Sequence, residues 1–200
     1  MSNVLRKVVF LVTGNVNKFN EARSVLKEFG FSCVMLNMDA MEIQADNLES
    51  IAKISAIDAG EKSALPVIVE DAGLFIDALN GFPGPYSSYV FRTIGIKGIL
   101  KLMENVEERN AAFHAVVAFY SPNAKSPRCF HGKVRGKIAR QPRGIHGFGF
   151  DPIFLPFTNT SKTFAELPPP QKNKYSHRAK ALRKFARWYR KHLELVKFEL

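Results

Sequence analysis

Apolar and polar positions along this chain follow two periods. Lys7 to Thr13 carries the unbroken apolar run Val8, Val9, Phe10, Leu11 and Val12, the pattern of a strand buried on both faces. Phe19, Ala22, Val25, Leu26 and Phe29 then recur at helical spacing, with Asn17 as a cap and Gly30 as a stop. Phe31 to Leu36 reads as a second strand. Asp46 followed by Glu49 resembles a capping box and opens a helix to about Lys62. Pro66 to Glu70 reads as a short strand whose polar end comes at Asp71. Gly81 to Pro85, rich in glycine and proline, predicts a shaped loop rather than regular structure.

The second half continues with a helix from about Ile94 to Asn105. Two longer strands, Ala111 to Tyr120 and Arg128 to Ile138, follow with a turn at Pro122 and Asn123 between them. Gly144 to Pro152 is a glycine-rich loop, and Pro168 to Pro170 an extended connector. Ser176 starts an amphipathic helix with the stripe Leu182, Phe185, Ala186, Tyr189 and Leu193. Lys180, Arg183, Lys184, Arg187 and Lys191 form its wet face. Alternating strands and helices followed by a run of strands argue for an α/β fold with a mixed sheet. No repeat and no linker divides the chain, so residues 1–200 read as a single domain.

A hydrophobic fraction of 46% lets a chain of 200 residues bury a core of its own. The apolar run at Val8 to Val12 is too short for a secretory or membrane-spanning segment, so the expected location is the cytoplasm, with no membrane partner. Cys33 and Cys129 lie far apart with no ligand spacing and read as reduced, packed thiols. The formal charge is +11, and from Lys172 to Lys191 there are nine Lys or Arg residues and no Asp or Glu. Such a stretch attracts anions, whether nucleic acid, acidic lipid or a polyphosphate.

Four places carry candidate chemistry. Thr13, Gly14, Asn15, Val16, Asn17 and Lys18 join a buried strand to a helix N-terminus, where unpaired N–H groups favour an anion. This is not a Walker A loop, which needs a second glycine and a Lys-Ser/Thr pair. Glu70 and Asp71 stand at a strand end, where hard cations collect in α/β sheets, and Glu42 is a further oxygen ligand. Phe148, Gly149, Phe150 and Asp151 offer ring faces to a flat base and a carboxylate to its edge. Lys172, Ser176, His177 and Arg178 put donors at the entry to the last helix. Each also has a plain alternative: an ordinary turn, solvated acids, core aromatics, a wet basic face. His114, His131, His146 and His192 have no ligand spacing and read as structural or surface residues.

In order, however, TGNVNK at 13–18, EIQ at 42–44, VEDAGL at 69–74 and GFPGPYSS at 81–88 resemble one family. GFGFDPIF at 147–154, TFAEL at 163–167 and QKNKYSHRAKAL at 171–182 continue the match. The family is that of the inosine triphosphate pyrophosphatases, also called dITP/XTP or non-standard purine nucleotide pyrophosphatases. The resemblance implies an elongated mixed sheet flanked by helices, two lobes with a nucleotide cleft between them, and a homodimer. It implies hydrolysis of ITP, dITP and XTP to the monophosphate and pyrophosphate, with Mg²⁺, or Mn²⁺ in its place. Glu42 and Asp71 would bind the metal, with Asp71 also accepting the proton of the attacking water. Thr13 to Lys18 would hold the triphosphate. Ala72, Phe148, Gly149, Phe150, Asp151, Lys172, His177 and Arg178 match nucleotide-binding positions.

Three positions depart from the family. Residue 72 is Ala where many relatives have a hydroxyl. Ser55 stands where bacterial relatives have a phosphate-contacting Lys, with Lys53 half a turn away. Phe150 replaces a common Tyr or Trp. Donors from His177 or Arg178 toward a 6-oxygen would disfavour adenine, whose 6-amino group is itself a donor. Two other readings stand beside this one. The Maf-type pyrophosphatases share the reaction class with another base preference. A basic nucleic-acid binder fits the charge, but the last helix alone has few interleaved aromatics, so nucleic-acid binding is not expected.

Overall fold

The computed structural model describes residues 7–41, 43–158 and 161–193. Strand β1 (Val8–Val12) leads into helix α1 (Val16–Lys27), then β2 (Ser32–Leu36), α2 (Leu48–Ser63) and β3 (Val67–Ile76). The two-residue strand β4 (Pro83–Gly84) and helices α3 (Ser87–Thr93) and α4 (Gly95–Leu102) follow. The chain ends with β5 (Asn110–Tyr120), β6 (Arg128–Ile138), β7 (Phe154–Pro156), α5 (Pro169–Lys172) and α6 (His177–Lys191). These strands form one sheet in the order β2-β1-β3-β5-β6-β7, with β4 pairing to β3. β1 is parallel to β2 and β3, whereas β3–β4 and β6–β7 are antiparallel. The sheet is therefore mixed, as the element pattern predicts.

The chain divides into two compact units. The first comprises Met1–Asp71, Ala115–Gly132 and Arg178–Leu200; the second comprises Ala72–His114 and Lys133–His177. In the first, Ala22, Val25 and Leu26 of α1 are buried, as are Leu182, Phe185, Ala186 and Tyr189 of α6. Tyr189 meets Phe31 edge-on at 5.3 Å, and Phe185 meets Phe130 at 5.6 Å. Helix α2 buries mainly small residues, among them Ala52, Ala56, Ala59 and Gly60. A Cβ at Gly60 would come within 2.6 Å of the Tyr120 ring, so glycine sets that close approach. In the second unit, Leu74, Ile76, Ile99, Phe113, Phe150, Phe154 and Phe164 belong to one apolar cluster. Strand β6 alternates there between buried Val134, Gly136 and Ile138 and exposed Lys133, Arg135 and Lys137. One face of that strand is wet.

Several boundaries differ from the sequence reading. The cap of α1 is Asn15, not Asn17: its Oδ1 accepts the N–H groups of Asn17 and Lys18 at 2.9 and 3.1 Å. The cap of α2 is likewise Asn47, which accepts from Ser50 N–H at 2.8 Å, not Asp46. Gly30 does stop α1: its N–H donates to Lys27 O and that of Phe31 to Leu26 O, a Schellman closure at φ 78°. β3 does not end at Glu70. It leaves its parallel partner after Val69 and runs on to pair Leu74 with Gly84 and Phe75 with Pro83. A Cβ at Gly73 would lie 2.2 Å from Gly84 O, so glycine lets the two backbones meet.

The loop at Gly81 to Pro85 thus contributes a short strand, contrary to the reading of it as irregular throughout. Ser87 secures it, accepting Leu74 N–H at 2.8 Å and donating to Gly84 O at 2.7 Å. Helix α3 has too few residues for its period to show in the sequence. The predicted helix at Ile94 to Asn105 is the shorter α4. Pro168 to Pro170 is not wholly extended either, because proline is well suited to the first turn of α5.

Candidate active site

The loop after β1 sits under its own cap. Thr13 Oγ1 accepts Asn15 N–H at 3.1 Å, and Asn15 in turn holds the amides of Asn17 and Lys18. Those two amides are therefore engaged within the loop, and the reading of the whole terminus as unpaired donors narrows accordingly. Lys18 reaches across to β3. Its Nζ donates to the Glu70 carbonyl at 3.0 Å and lies 3.1 Å from Glu70 Oε2.

Glu70 is buried, and its other oxygen, Oε1, lies 3.0 Å from Arg178 Nε. Arg178 Nη1 donates to Glu21 Oε2 at 2.6 Å. The result is a chain of alternating charges, Lys18–Glu70–Arg178–Glu21, drawn from α1, β3 and α6 and buried except at the half-buried Lys18. Burial alone would raise the Glu70 pKa, but Arg178 and Lys18 outweigh it and hold the carboxyl below its usual range. Burial likewise works against the Arg178 charge, and Glu70 and Glu21 reverse that effect and raise its pKa. Glu70 is accordingly not a solvated strand-end acid, nor is it available as a metal ligand. Asp71, the other carboxylate of this pair, is half-buried on the same strand.

Glu21 was not singled out in the sequence. Its signal is an acid on the apolar face of α1, in line with Ala22, Val25 and Leu26. Glu42 lies outside the described residues. Its neighbour Met41 is held at both backbone groups by α2: Asp58 Oδ2 accepts Met41 N–H at 2.8 Å, and Ser55 Oγ donates to Met41 O at 2.7 Å. Ser55 is thus engaged in fixing this segment, and Lys53 pairs with Glu49 one turn away.

In the second unit, the glycine-rich loop is built around Asp151. Its Oδ2 accepts Phe148 N–H at 3.0 Å and Lys172 Nζ at 2.5 Å, and both side chains of the ion pair are buried. Gly147 has φ 74°, and a Cβ there would fall 2.1 Å from that same oxygen. The TFAEL segment is the scaffold under the loop: Ala165 O accepts the N–H groups of Ile145 and His146, and Thr163 Oγ1 donates to Arg143 O. Lys172 Nζ stands 5.2 Å from the centre of the half-buried Phe148 ring. Phe150 is placed differently from the sequence reading. Only 3% exposed, its ring packs edge-on against Phe91 at 5.4 Å within the core. His177 is also buried and stacks on Phe113 at 4.6 Å. Ala72 and Gly149 are half-buried, and Gly149 has φ 61°.

The structure therefore ties Lys18, Glu70, Arg178 and Glu21 together in one unit, and Asp151, Lys172 and Phe148 in the other. Asp151 acts first on its own loop and on Lys172, rather than standing open to a ligand's edge. The donor set also bears on a metal. Among the described residues, no three His, Cys, Asp or Glu side chains gather as a cage. Magnesium is commonly held through one or two carboxylates plus substrate phosphates, which Asp71 fits. Also among the described residues, no helix is long and apolar enough to cross a membrane.

Comparison with known proteins covers nearly the whole chain. Residues 9–188 match the model of the Ham1 family. The chain is 52% identical over 184 residues to the dITP/XTP pyrophosphatase of Methanopyrus kandleri, covering 92% of this chain and 96% of the relative. It is 48% identical to the dITP/XTP pyrophosphatase of Hyperthermus butylicus, covering 93% and 96%. A solved HAM1 protein from Coxiella burnetii superposes with a TM-score of 0.81 at 32% identity, covering 92% of this chain and 98% of that one. With motifs, fold and relatives in agreement over this span, the chain belongs to the Ham1 family.

Proposed function

We propose that this protein hydrolyses non-standard purine nucleoside triphosphates, ITP, dITP and XTP, to the monophosphate and pyrophosphate. The observation that carries the reading is the contact of Lys18 with Glu70, next to Asp71. It ties a capped strand-to-helix loop, suited to polyphosphate, to the strand that bears the carboxylate. The activity named for the relatives supports the same reaction.

In this mechanism, the Thr13 to Lys18 segment binds the triphosphate through the Gly14 and Val16 amides, the ones not taken up by Leu36, Thr13 or Asn15, and through the Lys18 ammonium. Water attacks the α-phosphorus in line, and the bond to the bridging oxygen of pyrophosphate breaks. Asp71 orients that water and accepts its proton. Negative charge grows on the leaving group, and Lys18 offsets it there. Mg²⁺, held by Asp71 together with Glu42, would supply Lewis acidity and charge neutralisation. Lys172, fixed by Asp151, offers a cation beside the Phe148 ring for the base, and Arg178 keeps Lys18 and β3 in register through Glu70. Magnesium dependence and a homodimer belong to the same proposal and rest on the family resemblance, and a cytoplasmic location rests on the shortness of the apolar run at Val8 to Val12.

A pyrophosphate-release panel with ITP, XTP, dTTP, UTP, ATP and GTP, with and without EDTA, tests it. The expected result is turnover of ITP and XTP to monophosphate and pyrophosphate, abolished by chelation. IDP with orthophosphate as first products would remove the α-phosphorus assignment. A preference for dTTP or UTP would favour the Maf-type reading, and full activity in EDTA would reject the metal site.

A further inference from the structure

The charge of α6 divides into an inner and an outer set. Arg178 is buried in the site, whereas Lys180, Lys184, Arg187 and Lys191 are all exposed. These four stand at i, i+4, i+7 and i+11, so they form one line along a single helix face. At 1.5 Å per residue the line extends about 16 Å.

Its borders come from segments remote in sequence. On one side Arg187 stands 5.9 Å from the ring centre of Phe29, and Arg183 binds Glu28 through two nitrogens at 2.9 and 3.0 Å. On the other, Lys184 donates to His131 O at 2.7 Å, and exposed Arg128 lies 5.0 Å from the Trp188 ring. The bordering carboxylates are engaged: Glu28 by Arg183, and Glu49 by Lys53 and by His131, 3.0 Å away. Among the described residues, the two carboxylates that border the line are thus taken up by other side chains.

We propose that this outer face of α6, with Arg128 beside it, docks the phosphate backbone of a nucleic-acid duplex. The partner follows from the shape of the charge. A duplex presents about one phosphate charge per 1.7 Å of axis, so a line this long passes about ten of them. A lipid surface would call for apolar side chains beside the cations. Here the apolar stripe of α6 is the buried one, Leu182, Phe185, Ala186 and Tyr189. Single strands are held by stacking on open rings. The rings here, Phe29 and Trp188, are half-buried, with Arg187 and Arg128 lying over them. The contact is to backbone charge and carries no sequence preference. This reverses the expectation drawn from the last helix alone, because the flanking cation and the neutralised acids come from β6, α1 and α2.

The test is fluorescence anisotropy of a labelled mixed-sequence duplex against the full-length protein across salt. We expect a dissociation constant near the micromolar range at low salt, and a log–log salt slope of about −3 or steeper. The quadruple Gln variant of Lys180, Lys184, Arg187 and Lys191 should bind at least about tenfold more weakly, with a slope of about −1. A triple Gln variant at Lys133, Arg135 and Lys137, exposed cations of β6 in the other unit, should bind within about twofold of the parent. ITP turnover by the quadruple variant should match the parent, since none of these residues belongs to the site, and saturating ITP should not displace the duplex. Absence of duplex binding, equal weakening in both variants, or displacement by ITP would each overturn the proposal. So would tighter binding to phosphatidylserine vesicles that depends on the same four residues, which would make the partner a membrane.

Discussion

Arg178 Nε lies 3.0 Å from Glu70 Oε1 in the interior of the first unit, and the same carboxylate takes Lys18 through its other oxygen. Glu70 is therefore shared between two cations from different helices. Its replacement by Gln should leave both partly uncompensated and destabilise the protein by about 3–5 kcal/mol. For a chain of this size, that lowers Tm by roughly 6–20 °C. Thermal and urea unfolding of the variant measure it, and a Tm within about 2 °C of the parent would show that the network adds little.

The same carboxyl sets an acid limit. Its folded-state pKa is held below the unfolded value of 4.5, so at acid pH the unfolded chain binds the extra proton. The contribution of Glu70 is then complete above about pH 4.5–5 and is lost as pH falls through the lower folded value. Urea midpoints at pH 7, 5 and 3 should be level between the first two and drop at the third. Glu70→Gln should flatten that acid drop, and an equally steep drop in the variant would assign it to other carboxyls.

Asp71→Asn tests the chemistry. An amide neither accepts the proton nor binds a hard cation well, so kcat for ITP should fall by about a hundredfold or more. Circular dichroism and Tm should stay close to the parent. A near-normal kcat would move the proton acceptor elsewhere.

Gly147→Ala tests the loop that holds Lys172. The methyl group would meet Asp151 Oδ2 at 2.1 Å, at a φ of 74°. We expect a stability loss of about 1–3 kcal/mol from the backbone and a fall of about tenfold in kcat/KM for ITP. Gly149→Ala is the control, because φ there is 61° but nothing lies within 4 Å of the added carbon. It carries the backbone strain without the clash, so its kcat/KM should fall much less. Equal losses in the two variants would mean that the Asp151 contact has no part in binding.

Much of this protein is legible in its sequence. The unbroken apolar run of β1 marks a strand whose Val9, Leu11 and Val12 are buried and whose Val8 and Phe10 are half-buried, and the stripe of α6 fixes which side of that helix is buried. These are local signals, carried by neighbours within one or two turns. The order of the motifs marks the family in the same direct way. Helix starts were readable only to within two residues, because Asn15 and Asn17, or Asp46 and Asn47, compete as caps and backbone geometry chooses between them. Pairing over long separations was not readable. Arg178 and Glu21 are 157 residues apart, and nothing near either one names the other. Phe150 looks like a ring for a base until Phe91 is packed against it, and β3 looks finished at Glu70 until β4 pairs beyond it. Periodicity records which side of an element faces inward. Which charge meets which inside, and which line of cations stays outside, depends on segments that only the folded chain brings together.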